Sequence, residues 1–136
     1  MFYKGFTLVE LLIVFAIIAI LVMFAFPAYL DYTIRTRVAD GLHYADGAKV
    51  AVSETTLSNN TLPATQAATG FVSPPATDNV ASITVGANGT ITITYTAIAG
   101  GGTVILTPTL VPDQDLTWDC TGGTMLPKYR PGSCRP

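Results

Sequence analysis

Between Phe6 and Phe26 the chain carries an unbroken apolar run in which only Thr7 and Glu10 are polar. As a helix this run spans about 31 Å at ~1.5 Å per residue, close to the ~30 Å hydrocarbon core of a bilayer. A membrane span is the leading reading. Two others compete with it. A secretory signal peptide needs a basic start and a small-residue cleavage site after the run. Here the start holds only Lys4, and the run exits through Phe26-Pro27. A fully buried core helix needs a domain large enough to surround it, and a chain of 136 residues leaves only about a hundred for that purpose. Charge does not settle orientation, because Lys4 and the amino terminus flank one end while Arg35 and Arg37 lie beyond the other.

Past the span the pattern changes twice. Pro27 removes an amide and crowds the preceding turn, so the helix is expected to kink or soften there. Over residues 28–56 a stripe of Leu30, Ile34, Val38, Leu42, Ala45, Ala48 and Val52 recurs at spacings of three and four, which predicts an amphipathic continuation of the helix. Asp31 and Lys49 intrude on its edge, and Gly41 and Gly47 each cost about 1 kcal/mol relative to alanine. Residues 57–79 are rich in Ser, Thr, Asn, Ala and Pro and read as a long surface connection.

The period then becomes two. Thr90 to Thr96 alternates strictly, with Ile91, Ile93 and Tyr95 on one face. Asn88-Gly89 joins it to the Val80–Val85 run in an expected hairpin. A third strand over Thr103–Thr107, ended or pushed to an edge by Pro108, and a short fourth over Leu116–Cys120 complete an antiparallel sheet within residues 80–119. The predicted class is α+β: a long amino-terminal helix packed on a four-stranded antiparallel sheet.

Cys120 and Cys134 both lie near the far end, in the segment 120–136. If that end is exported, the pair reads as one disulfide. The rival, zinc, lacks ligands: two cysteines and the single His43 do not make a four-ligand site. Closing a loop of this size is worth roughly 3 kcal/mol on the chain-entropy model.

Lys4-Gly5-Phe6-Thr7-Leu8-Val9-Glu10, followed by the apolar helix with Pro27 at its exit and Tyr29 and Tyr32 just beyond, closely resembles the amino-terminal motif of type IV prepilins of the short-leader subgroup. The remaining layout, a helix, a loop, a four-stranded sheet and a terminal cysteine pair, is similar to that family as well. The resemblance implies that residues 1–5 are a leader, that Gly5 precedes the scissile bond of a membrane aspartic peptidase, and that Phe6 becomes an N-methylated terminus of a 131-residue mature subunit. It further implies that residues 6–27 serve as transmembrane and polymerisation helix, that Glu10 registers subunits during assembly, and that Cys120 and Cys134 form the terminal disulfide. Lys4 alone makes the leader less basic than is common in the family.

Glu10 supports two readings from its residues. A lone acid one turn into a helix is favoured by the dipole by about 0.3–1 kcal/mol and near headgroups can snorkel. A carboxylate amid apolar neighbours in a membrane segment is also a functional candidate that wants a cation, and the nearest kind is an amine at Phe6 of a neighbouring subunit. Lys128, Tyr129, Arg130 and Arg135 concentrate charge and an aromatic ring at the carboxy terminus, as a contact for external partners or as a solubilising rim. Asp113, Asp115 and Asp119 carry no calcium-loop pattern, so no metal and no cofactor is expected. His43 is the only histidine, which leaves no basis for a nucleophile-base pair, and an enzyme is the weakest reading. Low charge, 12% with a net of −2, gives no general polyanion footprint.

The expected function is that of a structural pilus subunit. It would sit in the bacterial inner membrane as a single-pass precursor in the lipid bilayer and then in an extracellular fimbrium. Expected partners are other pilin subunits, a prepilin peptidase, the inner-membrane assembly machinery, and an external surface, receptor or DNA. Adhesion, twitching motility and DNA uptake are activities the resemblance allows. The alternatives are a pseudopilin of a type II secretion system and a membrane-tethered binding module that never polymerises.

Overall fold

The computed structural model describes Met1, residues 4–112 and residues 116–136. Helix α1 runs Leu8–Tyr44 and α2 Asp46–Asn59. They form one rod, because the Ala45 amide still donates to Gly41 and Leu42 and its carbonyl accepts from Lys49. Pro27 lies inside α1 without ending it. Asn60, in the left-handed conformation, terminates α2. The rod thus outlasts the expected helix end by three residues, and the connection that follows holds one further turn, α3 Gln66–Thr69, capped by Thr65.

Four strands follow: β1 Val80–Val85, β2 Ile91–Tyr95, β3 Thr103–Thr109 and β4 Thr117–Gly122. They pair antiparallel in the order β1-β2-β3-β4. The β1–β2 turn uses Asn88 and Gly89 at positive φ, as a tight return requires. Gly89 is fixed for a second reason, since a Cβ there would stand 2.8 Å from Val52 Cγ1. Strand β3 continues through Pro108, where an end or an edge was expected. The β2 pairing stops at Ile91–Leu106, so Pro108 lies in an arm with only β4 beside it and no β2 partner is lost.

The α+β arrangement expected from the sequence is present. Val38, Ala45, Ala48 and Val52 of the rod meet Ile83, Ile91, Ile93, Val104 and Leu106 of the sheet in one core, with Ile34 and Leu42 at its border. Gly41, Ala45 and Ala48 are small, which brings the sheet close to the helix axis. Tyr95 occupies the space over Gly41 and donates its hydroxyl to the Val38 carbonyl at 2.8 Å. The amino-terminal half of α1 stands outside this core. None of its apolar window is buried, which removes the core-helix reading.

Candidate functional site

At the free end of α1, Lys4 to Thr7 are non-helical and exposed, and open space surrounds Gly5. Phe6 is 90% exposed. Thr7 and Glu10 form a reciprocal capping box. The Thr7 hydroxyl oxygen accepts from the Glu10 amide at 3.3 Å, while Glu10 Oε2 accepts from the Thr7 amide and hydroxyl, each at 2.8 Å. Among the described residues Oε1 accepts no hydrogen bond. The T-x-x-E spacing ahead of an apolar run was the available signal for this box. From Leu8 to Phe26 the helix offers only apolar surface apart from that carboxylate.

At the other end of the chain, Cys120 on β4 is joined to Cys134 by a disulfide. Between them Arg130 turns inward and is 2% exposed. Its guanidinium donates to four carbonyls: Met125 from Nε at 3.0 Å, Thr121 and Gly122 from Nη1, and Gly123 from Nη2 at 2.9 Å. This corrects the expectation that Arg130 faces outside partners, because the turn after β4 leaves four carbonyls converging where only a planar cation with several donors satisfies them. No sequence pattern marks that role.

The other three terminal residues are divided. Lys128 reaches back to α1, with Nζ 3.2 Å from Asp31 Oδ1 and 4.6 Å from the Tyr129 ring centroid. The Tyr129 side chain, and then the Asp31 carboxylate, hold its pKa above the ordinary lysine value. Arg35 donates to the Lys128 carbonyl from Nε and Nη2, at 3.2 and 2.8 Å. The Tyr129 ring packs at the level of Gly100 and Ile34, where a Gly100 Cβ would stand 2.8 Å from it. Arg135 stays exposed, its Nε donating to the Arg130 carbonyl at 3.1 Å.

The two ends are far apart along the rod, so the sequence candidates do not form one site. Asp113 and Asp115 lie outside the described residues, and Asp119 accepts from the Thr121 amide and hydroxyl. His43 is exposed beside Asp46.

The profile of the family described as Pilin (bacterial filament) matches residues 34–135, and that of the prokaryotic N-terminal methylation motif matches residues 1–26. The chain belongs to the pilin family. Together the two matches cover the exposed apolar helix and the head that packs on its second half, as in the precursor of a type IV pilin. Fimbrial protein EcpC of Eikenella corrodens is 40% identical to this pilin over 139 residues, covering 97% of this chain and 90% of that protein. The type IV major pilin protein PilE1 of Neisseria gonorrhoeae is 47% identical over 72 residues, 53% of this chain and 44% of PilE1. The type IV major fimbrial protein FimA of Dichelobacter nodosus is 57% identical over 51 residues, 38% of this chain and 32% of FimA. The pilin is a structural subunit of a pilus, membrane-anchored as a precursor and then assembled with other pilin subunits.

The geometry divides labour between the two halves. Among the described residues the apolar half of α1 finds no surface to bury against, so it is stable only in lipid or against copies of itself. The head is a closed unit. Along the side of α1 left open by the sheet, Tyr29, Tyr32, Thr33, Thr36, Arg37, Asp40 and Asn79 line a groove of about 470 Å³.

Proposed function

We propose that a membrane aspartic prepilin peptidase cuts this subunit between Gly5 and Phe6, that Phe6 is then N-methylated, and that Glu10 registers each subunit during assembly. The observation that carries the reading is the Thr7–Glu10 box at the head of an uncovered apolar helix. Cutting ahead of the run removes a polar cap and preserves the polymerisation surface, whereas cutting behind it would discard that surface. With Oε2 holding the Thr7 donors, Oε1 is left to meet the terminal amine of a neighbour. The leader's exposure and the space around Gly5 suit entry into a peptidase cleft.

Before assembly the subunit resides in the bacterial inner membrane. Inner-membrane machinery extracts it into the extracellular fimbrium, where the heads form the outer surface. Its pili serve adhesion and twitching motility, with DNA uptake a further use, and Arg135 and the half-exposed Lys128 are the terminal cations open to an external surface, receptor or DNA. Intact-mass measurement on fibres sheared from cells tests the processing. The expected species begins at Phe6, carries one methyl group and retains the disulfide. Fibres made of full-length, unmethylated chains would overturn it.

A further inference from the structure

We infer that the outer face of the sheet is a docking surface for neutral, hydroxyl-rich polysaccharide. The inference gives a ligand class to the adhesion proposed above, and it rests on the heads forming the outer surface of the fibre.

Strand geometry defines the face. Ile83, Ile91, Ile93, Val104 and Leu106 are buried in the core against α1, so the residues alternating with them point away from the helix. Hydroxyl side chains dominate that side. Thr84 stands opposite Thr92, and Thr94 lies between Ser82 on one neighbouring strand and Thr103 on the other, with Thr107 further along β3. Ile105 is the apolar exception. Thr84 and Thr107 are exposed, and Thr92 and Thr94 are half-exposed. Adjacent strands lie about 4.8 Å apart and same-face neighbours along one strand about 6.7 Å, so the side chains form a regular lattice. Other hydroxyls of this region are engaged, Thr90 with Ala87, Thr96 with Asp78 and Thr103 with Thr124, whereas those of Thr84, Thr92, Thr94 and Thr107 are left open among the described residues.

Charge selects the occupant. No charged residue occurs between Asp78 and Asp113, although protein surfaces ordinarily carry roughly 25–35% of them. Strand propensity accounts for the threonines but not for that absence. Asp119, opposite Thr107, is occupied by the Thr121 amide and hydroxyl. A charged polymer laid on this face would surrender hydration without meeting an opposite charge. A neutral polyol exchanges hydrogen bonds one for one, because threonine and sugar hydroxyls alike donate and accept. Each face binds weakly, and a fibre that repeats it holds a polymer at many points.

The test mixes sheared fibres with settling beads of cross-linked dextran, at low salt and at about 1 M NaCl, where charges are screened beyond about 3 Å. Fibres are expected to settle with the beads at both salts. Combining Thr84→Val, Thr92→Val and Thr94→Val, which removes hydroxyls and keeps the β-branched shape, should lower retention several-fold. Should that variant fail to assemble, the detergent-solubilised full chain is compared with the parent on the same beads. Access is read separately, by Thr92→Lys fibres exposed to an amine-reactive biotin, which is expected to label the introduced amine. With the amine labelled, absent retention, retention lost at high salt, or equal retention of parent and valine variant would overturn the docking and leave the outward heads standing. An unlabelled amine would overturn both.

Discussion

A Cβ on Gly41 would stand 2.7 Å from the Tyr95 hydroxyl oxygen, so the glycine that weakens the helix locally is what admits the tyrosine to the core. Gly41→Ala should gain about 1 kcal/mol of helix propensity and lose more by overpacking, a typical 1–3 kcal/mol, with net destabilisation in chemical denaturation of the detergent-solubilised chain. Tyr95 has a second consequence. Burial first, and then the Asp40 carboxylate, push its pKa above the ordinary tyrosine value. For an acid raised in the folded state, stability is whole below the unfolded value near 10. It falls as pH rises from there, because the unfolded chain ionises first, with a slope of at most about 1.4 kcal/mol per pH unit. Tyr95→Phe should flatten that alkaline decline while losing about 1 kcal/mol at neutral pH with the Val38 hydrogen bond. An unchanged alkaline slope would show that another group titrates.

Among the elements, the carboxy-terminal loop is held by two devices of different kinds. The disulfide closes the loop, which chiefly disfavours the unfolded chain, whereas Arg130 determines the path of residues 121–125 by satisfying their carbonyls. Replacing both cysteines by alanine should therefore lower global stability by roughly 3 kcal/mol while amides of residues 121–130 stay protected from hydrogen exchange in the folded state. Arg130→Lys, with its disulfide intact, should instead open those amides, because one ammonium cannot reach the four acceptors. Equal protection in Arg130→Lys and the parent would refute the clamp. The same contrast explains what the sequence disclosed. The Leu30-to-Val52 stripe and the Thr90–Thr96 alternation are periodic, and each periodicity is set by the geometry of its own element, so helix and hairpin were legible in advance. Strand β3 passing Pro108, the α3 turn, and Arg130 turning inward depend on which neighbour ends where. Those are facts of tertiary packing with no local pattern. At the amino terminus the T-x-x-E spacing carried a local signal for the capping box, yet reading Glu10 only against its apolar neighbours passed over Thr7 as its partner.

At the scale of the whole molecule, a closed head carries a bare apolar half-helix, Leu8 to Phe26, whose only carboxylate is Glu10, and assembly must dispose of both. If Phe6 bears a free amine after cleavage, every subunit brings a cation and a carboxylate into a poorly solvated layer on one helix end. The box with Thr7 supplies local donors to one carboxylate oxygen but no charge of opposite sign. On the registration role proposed for Glu10, a neighbour's amine would supply it. An ion stripped of its partner in such a layer commonly costs several kcal/mol, so the pair penalises subunits at the wrong axial height more than it strengthens correct ones. Glu10→Ala should lose the cap, about 1 kcal/mol at the helix end, yet leave insertion, cleavage and the head's disulfide intact while fibre incorporation fails. Thr7→Val separates the two roles, since it removes the hydroxyl cap and spares the carboxylate, and it should retain fibres. Glu10→Asp, with shorter reach, should retain part of the yield. The measurement compares membrane-inserted pools with sheared surface fibres for each variant in cells lacking the parent subunit. Abundant, regular fibres built solely from Glu10→Ala subunits would leave Glu10 as a helix cap and nothing more, and registration would then have to come from the apolar packing of α1 alone.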